Sequence, residues 1–463
     1  MEKLKEILKL IIQVLLLISI NYQVSSASES KKYEPTWESL DSRPSPTWYD
    51  DAKIGIFLHW GVYAVPSFGT EWFWQNWQGT HNSAYEDFMK KNYPPGFTYQ
   101  DFGRDFTAEL YDPNHWAELF QASGAKYVIL TSKHHEGYAL WPSKYSFSWN
   151  SQDVGAHKDL IGDLATAVRN KTSLRFGLYH SLFEWFNRLY LEDKDSGFKN
   201  RNFPEMKVLP EMYELINIYK PSILWSDGEW EADDSYWGSR EFLAWLYNES
   251  PVKDEVIVND RWGSTTLCKH GGFYTCVDRY NPGVLQEHKW ENAMTLDYGS
   301  WGYRRNAKLS DYMPTKVLLK TLMETISCGG NLLVNVGPTK EGTIDAIFEE
   351  RLRELGAWLN INGKAVYETK PWLYQNDTLT PGVWFTEPKV ENSNTVFTFF
   401  HDWPQADELE VAVLHEHLGD NGTVKMIGNQ EELKWSKTDK SVKITLPHKT
   451  PVKDAWVLEV TLK

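Results

Sequence analysis

Eight short apolar runs, each breaking off into polar or aromatic residues, constrain this chain more than any other feature. They are KIGIFLHWG from Lys53, YVILTSKHH from Tyr127, LRFGLYHS from Leu174, SILWSDGEW from Ser222, EVIVNDRW from Glu255, YTCVDRY from Tyr274, TLDYGSWGY from Thr295 and NLLVNVGP from Asn331. Several are separated by amphipathic stretches such as DPNHWAELFQASG and FPEMKVLPEMYELINIYK. Continuous apolar runs alternating with amphipathic helices mark parallel strands buried on both faces. Eight such units predict an α/β fold, a (β/α)8-like barrel. After the helical stretch TIDAIFEERLRELGAWLNINGKAVYE the pattern becomes alternating, in TVFTFF, LEVAVLH, SVKITLP and DAWVLEVTLK, with turn signals such as Asn421-Gly422 between runs. We read residues 28–368 as the barrel and 369–463 as a C-terminal antiparallel β domain packed on it.

The N-terminus carries lysines, an apolar stretch from Ile11 to Ile20, and small residues Ser25 and Ala27 before SESKK. This is a secretory signal over residues 1–27. It is too short to be a membrane anchor, which needs about 20 apolar residues, and no later stretch spans either. Sequons at Asn170, Asn248, Asn376 and Asn421 agree with that route, although Pro251 weakens the second. Of the three cysteines, Cys268 and Cys276 flank KHGGFYT and can close a small loop, leaving Cys328 free; three free thiols is the alternative. A net charge of −15 argues against a nucleic-acid partner. The 23 tryptophans suit carbohydrate faces, and large cores use them too.

In a barrel of this kind the residues ending each strand converge on one pocket. Here they are His59 with Trp60, His134 with His135, Tyr179 with His180, Asp227 with Glu229, Asp260 with Arg261, Asp278, and Trp301. A metal hydrolase needs a ligand set, yet no H-x-H or H-E-x-x-H occurs, and adjacent His134 and His135 on an extended strand face opposite sides. No metal or cofactor is expected. P-loop and G-x-S-x-G patterns are absent too. Paired carboxylates remain, and glycoside hydrolysis needs such a pair in a pocket with hydroxyl partners and apolar walls. Asp227, ending a buried strand between two tryptophans, suits the nucleophile, while a helix or loop cap is its structural alternative.

These residues also carry a resemblance. WYDDAKIGIFLHWGVYAVPSFGTEWFW, TSKHHEGYALWPS, ILWSDGEW, NDRWG, HKWENAMTLDYGSWGY and NLLVNVGPT stand in the same order as in the α-L-fucosidases of glycoside hydrolase family 29, over nearly the whole mature chain, and resemble the lysosomal or tissue type. The resemblance implies a retaining exo-glycosidase acting on fucosylated glycans, built as a barrel plus a β-sandwich. It places Asp227 on the nucleophile, and His59, Glu71, Trp72, His134, His135, Tyr179, Trp225, Arg261 and Trp301 on fucose-pocket positions. For the acid/base two candidates stay open: Asp278 in TCVDRYNPG, which is preferred, and Glu291 in HKWENAM, whose bland reading is an exposed helix glutamate. A catalytically inactive fucose-binding lectin and a metal-dependent barrel hydrolase are the competing functions. The expected compartment is the secretory pathway, ending in lysosomes or outside the cell, and the oligomeric state is open, a homo-oligomer included.

Overall fold

The computed structural model describes residues 31–462; the signal segment lies outside them. Seven parallel strands form the larger sheet: β1 (Ile54–Leu58), β2 (Tyr127–Lys133), β3 (Arg175–Ser181), β4 (Ile223–Asp227), β5 (Ile257–Val258), β6 (Trp290–Thr295) and β7 (Gly330–Val336). Their spatial order is β5-β4-β3-β2-β1-β7-β6. Helices precede several strands where the amphipathic stretches predict them. The helix Pro113–Ala122 is typical: proline opens it, and the Asp112 carboxylate accepts from the free N–H groups of Asn114 and His115.

The arrangement is a (β/α)8-like barrel, but the sixth and seventh predicted strands need correction. The segment from Tyr274 forms no strand. Its N–H groups at Thr275 and Cys276, with that of Cys268, donate to the Asp260 carboxylate and so are lost to sheet pairing. What remains is a short stitch across the β5–β6 gap. Gly272 and Phe273 donate to the Val258 carbonyl, and Tyr274 exchanges two 2.9 Å bonds with Lys289 and Glu291. The next strand is WENAMT and not TLDYGSWGY, one step upstream of the prediction. A glutamate and an asparagine disguise it as a surface segment, although the whole strand is buried.

Eight further strands follow: β8 (Thr369–Asn376), β9 (Val383–Pro388), β10 (Thr395–Phe400), β11 (Glu408–Val411), β12 (Thr423–Met426), β13 (Trp435–Lys437), β14 (Val442–Thr445) and β15 (Trp456–Thr461). They make a five-stranded sheet, β12-β15-β10-β9-β8, and a three-stranded one, β11-β14-β13. Residues of both sheets share one core, including Phe385, Val396, Phe400, Val411 and Ile444. Along β10 the pleat sends Val396 and Phe400 into that core and Phe397 and Phe399 into the main core beside the barrel. That is why TVFTFF reads as a nearly unbroken apolar run.

Cys268 and Cys276 form a disulfide, and Cys328 is free and buried. Asn170, Asn376 and Asn421 are exposed. The Asn248 amide instead donates to the carbonyls of Tyr33 and Ala244. Among the described residues no helix is long and apolar enough to cross a membrane.

Candidate active site

Strand alternation builds the pocket floor. Ile223 and Trp225 of β4 face the barrel interior, as do Phe57 of β1, Tyr179 of β3 and Leu333 of β7; Asp227 follows Trp225 by two residues and therefore faces the same way. Gly228, at φ +79°, then turns the chain where a Cβ would lie 2.7 Å from the Phe183 ring. A pocket of about 620 Å³ opens above this floor. It is lined by His59, Glu71, Trp72, His134, His135, Tyr179, Trp225, Asp227, Arg261, Asp278 and Trp301, all expected from sequence, and by Phe57 and Trp230, which were not. Phe57 was detectable, since it stands two residues before His59 in the same apolar run. Trp230 follows the Gly228 turn, where periodicity says nothing.

Two carboxylates share one cation. Arg261 donates from Nη1 to Asp227 Oδ1 (2.9 Å) and from Nη2 to Asp278 Oδ1 (2.6 Å). Its Nε is held by Thr275 Oγ1 at 3.0 Å, and the guanidinium lies over the Trp225 ring, 4.7 Å from the centroid. Tyr179 donates its hydroxyl to Asp227 Oδ2 at 2.7 Å. The Asp227 side chain is 12% exposed and that of Asp278 49%, so one carboxylate sits in the depth and the other at the mouth. Glu71 spends one oxygen on Ser300 Oγ and the N–H groups of Trp301 and Gly302, which fixes the Trp301 wall.

The histidine protons follow from their partners. Asn335 donates its amide to Thr295 Oγ1 and the Trp301 carbonyl, so its Oδ1 must accept from His59 Nδ1 at 2.7 Å. Ser181 gives its proton to the Phe183 carbonyl, so its oxygen accepts from His135 Nδ1. In both rings Nε2 is left as an acceptor. Burial, then the neighbouring His134, pulls His59 down to about 3 and His135 well below its usual value, so both are neutral. His134 and His135 do not face opposite sides as expected. The chain leaves the extended form after Lys133, and their ring centroids are 4.0 Å apart on one pocket wall.

Several strand-end residues stay out of the pocket. Trp60 packs on Trp116, Tyr111 and Phe106. His180 is buried behind the wall near Glu211, and Asp260 pins the loop described above. Glu291 is neither exposed nor helical. It lies at the second residue of β6, below the pocket, and accepts from Tyr127 OH (2.6 Å), Tyr49 OH (2.7 Å) and Trp225 Nε1 (3.0 Å). It supports Trp225 from beneath and does not line the cavity. Among the described residues one group of three metal-ligating side chains brings its ligand atoms within 4.8 Å of one another, Asp260 with Cys268 and Cys276, and there both sulfurs are consumed by the disulfide.

The alpha-L-fucosidase family matches residues 20–364, and its C-terminal domain matches residues 375–461. The chain belongs to the α-L-fucosidase family. It is 54% identical to the plasma α-L-fucosidase of Homo sapiens over 94% of each chain. It is 50% identical to the human tissue α-L-fucosidase over 97% of this chain and 96% of that one. The crystal structure of a Thermotoga maritima α-fucosidase in complex with fucose superposes with a TM-score of 0.79 at 34% identity, covering 93% of this chain and all of the other. A fucosidase needs acceptors for sugar hydroxyls, apolar faces for C–H groups and a carboxylate pair, and these are the three components brought together here.

Proposed function

We propose that this protein is a retaining α-L-fucosidase that removes terminal fucose from glycans by double displacement. The carrying observation is the pair Asp227 and Asp278 bridged by Arg261, one deep and one at the mouth of a pocket in a fucosidase fold. A single guanidinium keeps two carboxylates close, which favours the short spacing of retaining enzymes over the wider one of inverting enzymes. Asp227 attacks the anomeric carbon while Asp278 protonates the departing oxygen, giving a β-fucosyl ester on Asp227. Asp278 then takes a proton from water, which attacks the same carbon and frees Asp227. Asp278 is preferred as acid/base because it faces the solvent side where the leaving group exits; Glu291 is buried beneath the floor with three donors already on it.

The neutral histidines supply Nε2 acceptors for fucose hydroxyls, and Phe57, Trp225 and Trp301 supply apolar faces for the ring and its methyl group. Discrimination against a hydroxymethyl group by such a wall is modest. The N-terminal signal pattern and the plasma and tissue relatives support delivery through the secretory pathway, to lysosomes or outside the cell.

Stereochemistry of azide rescue tests the assignment. Asp227→Gly is expected to lose at least ~10³-fold in turnover, with azide restoring reaction on an activated α-fucoside to give β-fucosyl azide. Asp278→Gly is expected to stall after the first step and yield α-fucosyl azide. Wild-type turnover in Asp227→Gly, or the α-azide from Glu291→Gly instead of Asp278→Gly, overturns the roles. A protein that binds fucose without cleaving any α-fucoside is a lectin, and activity lost on chelation and restored by zinc is the mark of a metal hydrolase.

A further inference from the structure

We propose that Glu136 is a positioning residue for the pocket, setting the proton on the His134 ring and hence the hydrogen-bond acceptor that His134 offers to a sugar hydroxyl. This rests on the reading of the pocket as a fucose site. Glu136 is 1% exposed, and neither of its carboxyl oxygens has a hydrogen-bond partner among the described residues. The same is true of His134 Nδ1, 3.3 Å from Glu136 Oε2, and of the hydroxyls of Tyr63 and Tyr99, both of which feel the Glu136 charge. The chain closes in on this carboxyl, since a Cβ at Gly61 would stand 2.8 Å from Oε1. A buried acceptor without a donor is costly, and here the nearest ring nitrogen lacks an acceptor in turn.

A proton on Nδ1 satisfies both once the ring turns toward Oε2, and leaves Nε2 of His134 bare. His59 and His135 are set the same way by Asn335 and Ser181. With Glu136 the series is complete: three adjoining imidazoles on one pocket wall, each with its Nδ1 turned to a protein acceptor and its Nε2 available to a polyol. At 3.3 Å the two atoms are within reach, but the ring N–H is not aimed at the carboxyl, and catalytic hydrogen bonds are often poorly aligned before substrate binds.

Histidine 15N resonances of the full protein, with and without L-fucose, together with aryl α-L-fucoside kinetics, test this. The wild type is expected to show His134 with the proton on Nδ1. Glu136→Gln keeps an acceptor and should retain that signature, with KM within about threefold of wild type. Glu136→Met removes the acceptor and should shift the proton off Nδ1 and weaken L-fucose binding about tenfold or more. A folded Met variant with wild-type His134 resonances and wild-type fucose affinity overturns the proposal. If that variant does not fold, Glu136→Asp, which withdraws the carboxyl by one methylene, takes its place with the same expected loss, and unchanged affinity again overturns it. If the wild type binds no fucose, the fucosidase reading falls by itself, while the His134 resonances of the sugar-free protein still decide whether Glu136 sets the ring proton.

Discussion

Glu229 stands two residues beyond Asp227 and is 2% exposed, with Oε2 lacking a hydrogen-bond partner. Burial pushes its carboxyl up to about 8, with the Asp227 charge adding to the rise and Arg261 opposing it. The folded protein therefore holds a proton between the ordinary carboxyl range and about 8 that the unfolded chain releases. Stability from this group is complete below the unfolded value and is lost as pH rises through that window. Glu229→Gln cannot ionise, so its melting temperature should fall less than that of wild type between pH 5 and pH 8 in calorimetry. Parallel declines in the two proteins would assign the proton to another group. Below that window Glu229 is neutral and adds no third carboxylate charge beside Arg261.

The loop between β5 and β6 does for Asp278 what a strand does for Asp227. It has no periodic pattern of its own. Its shape comes from Asp260, whose two oxygens accept three backbone N–H groups and the Thr275 hydroxyl, and from the Cys268–Cys276 disulfide. Replacing both cysteines by serine is expected to cost about 2–3 kcal/mol in denaturant unfolding, the chain-entropy value for so short a loop. It should also lower kcat/KM more than any loss of folded protein explains, because Thr275 holds Arg261. Full kcat/KM in the double variant would show that the Asp260 bonds suffice. This loop also explains what was and was not legible in the sequence. β1 to β4 and β7 are doubly buried, so their composition announces them, and the alternation through Trp225 to Asp227 could be followed by eye. Asp278 was reached as the end of a strand that does not form and through motif resemblance, because its position depends on side-chain contacts from residues 17 and 18 places earlier. Glu291 misled because a buried charged residue looks like a surface one until Tyr49, Tyr127 and Trp225 are known to meet it. The two adjacent histidines misled because a strand was assumed to continue two residues further than it does.

At the scale of the whole molecule, the C-terminal sheets have a core of their own and contribute no residue to the pocket. Residues 369–463 expressed alone should unfold cooperatively and show no fucosidase activity. They should also bind an apolar dye more than the intact protein does, since Trp384, Phe397, Phe399 and Val457 would lose the barrel they pack against. Activity in that fragment would refute the division of labour. The barrel itself is uneven around its circumference. Six of the seven junctions needed to close it run along paired strands, while the seventh depends on the Gly272–Tyr274 stitch. A cylinder fastened at one place by a few bonds opens there first, so amides at Gly272, Phe273, Tyr274 and Glu291 should exchange with deuterium well before those of β1, β2 and β3. The loop that carries Asp278, the proposed acid/base, hangs from that fastening. Heating should accordingly silence the enzyme while its far-ultraviolet dichroism is still intact, and coincident loss of the two signals would mean that the cylinder is equally firm all the way round.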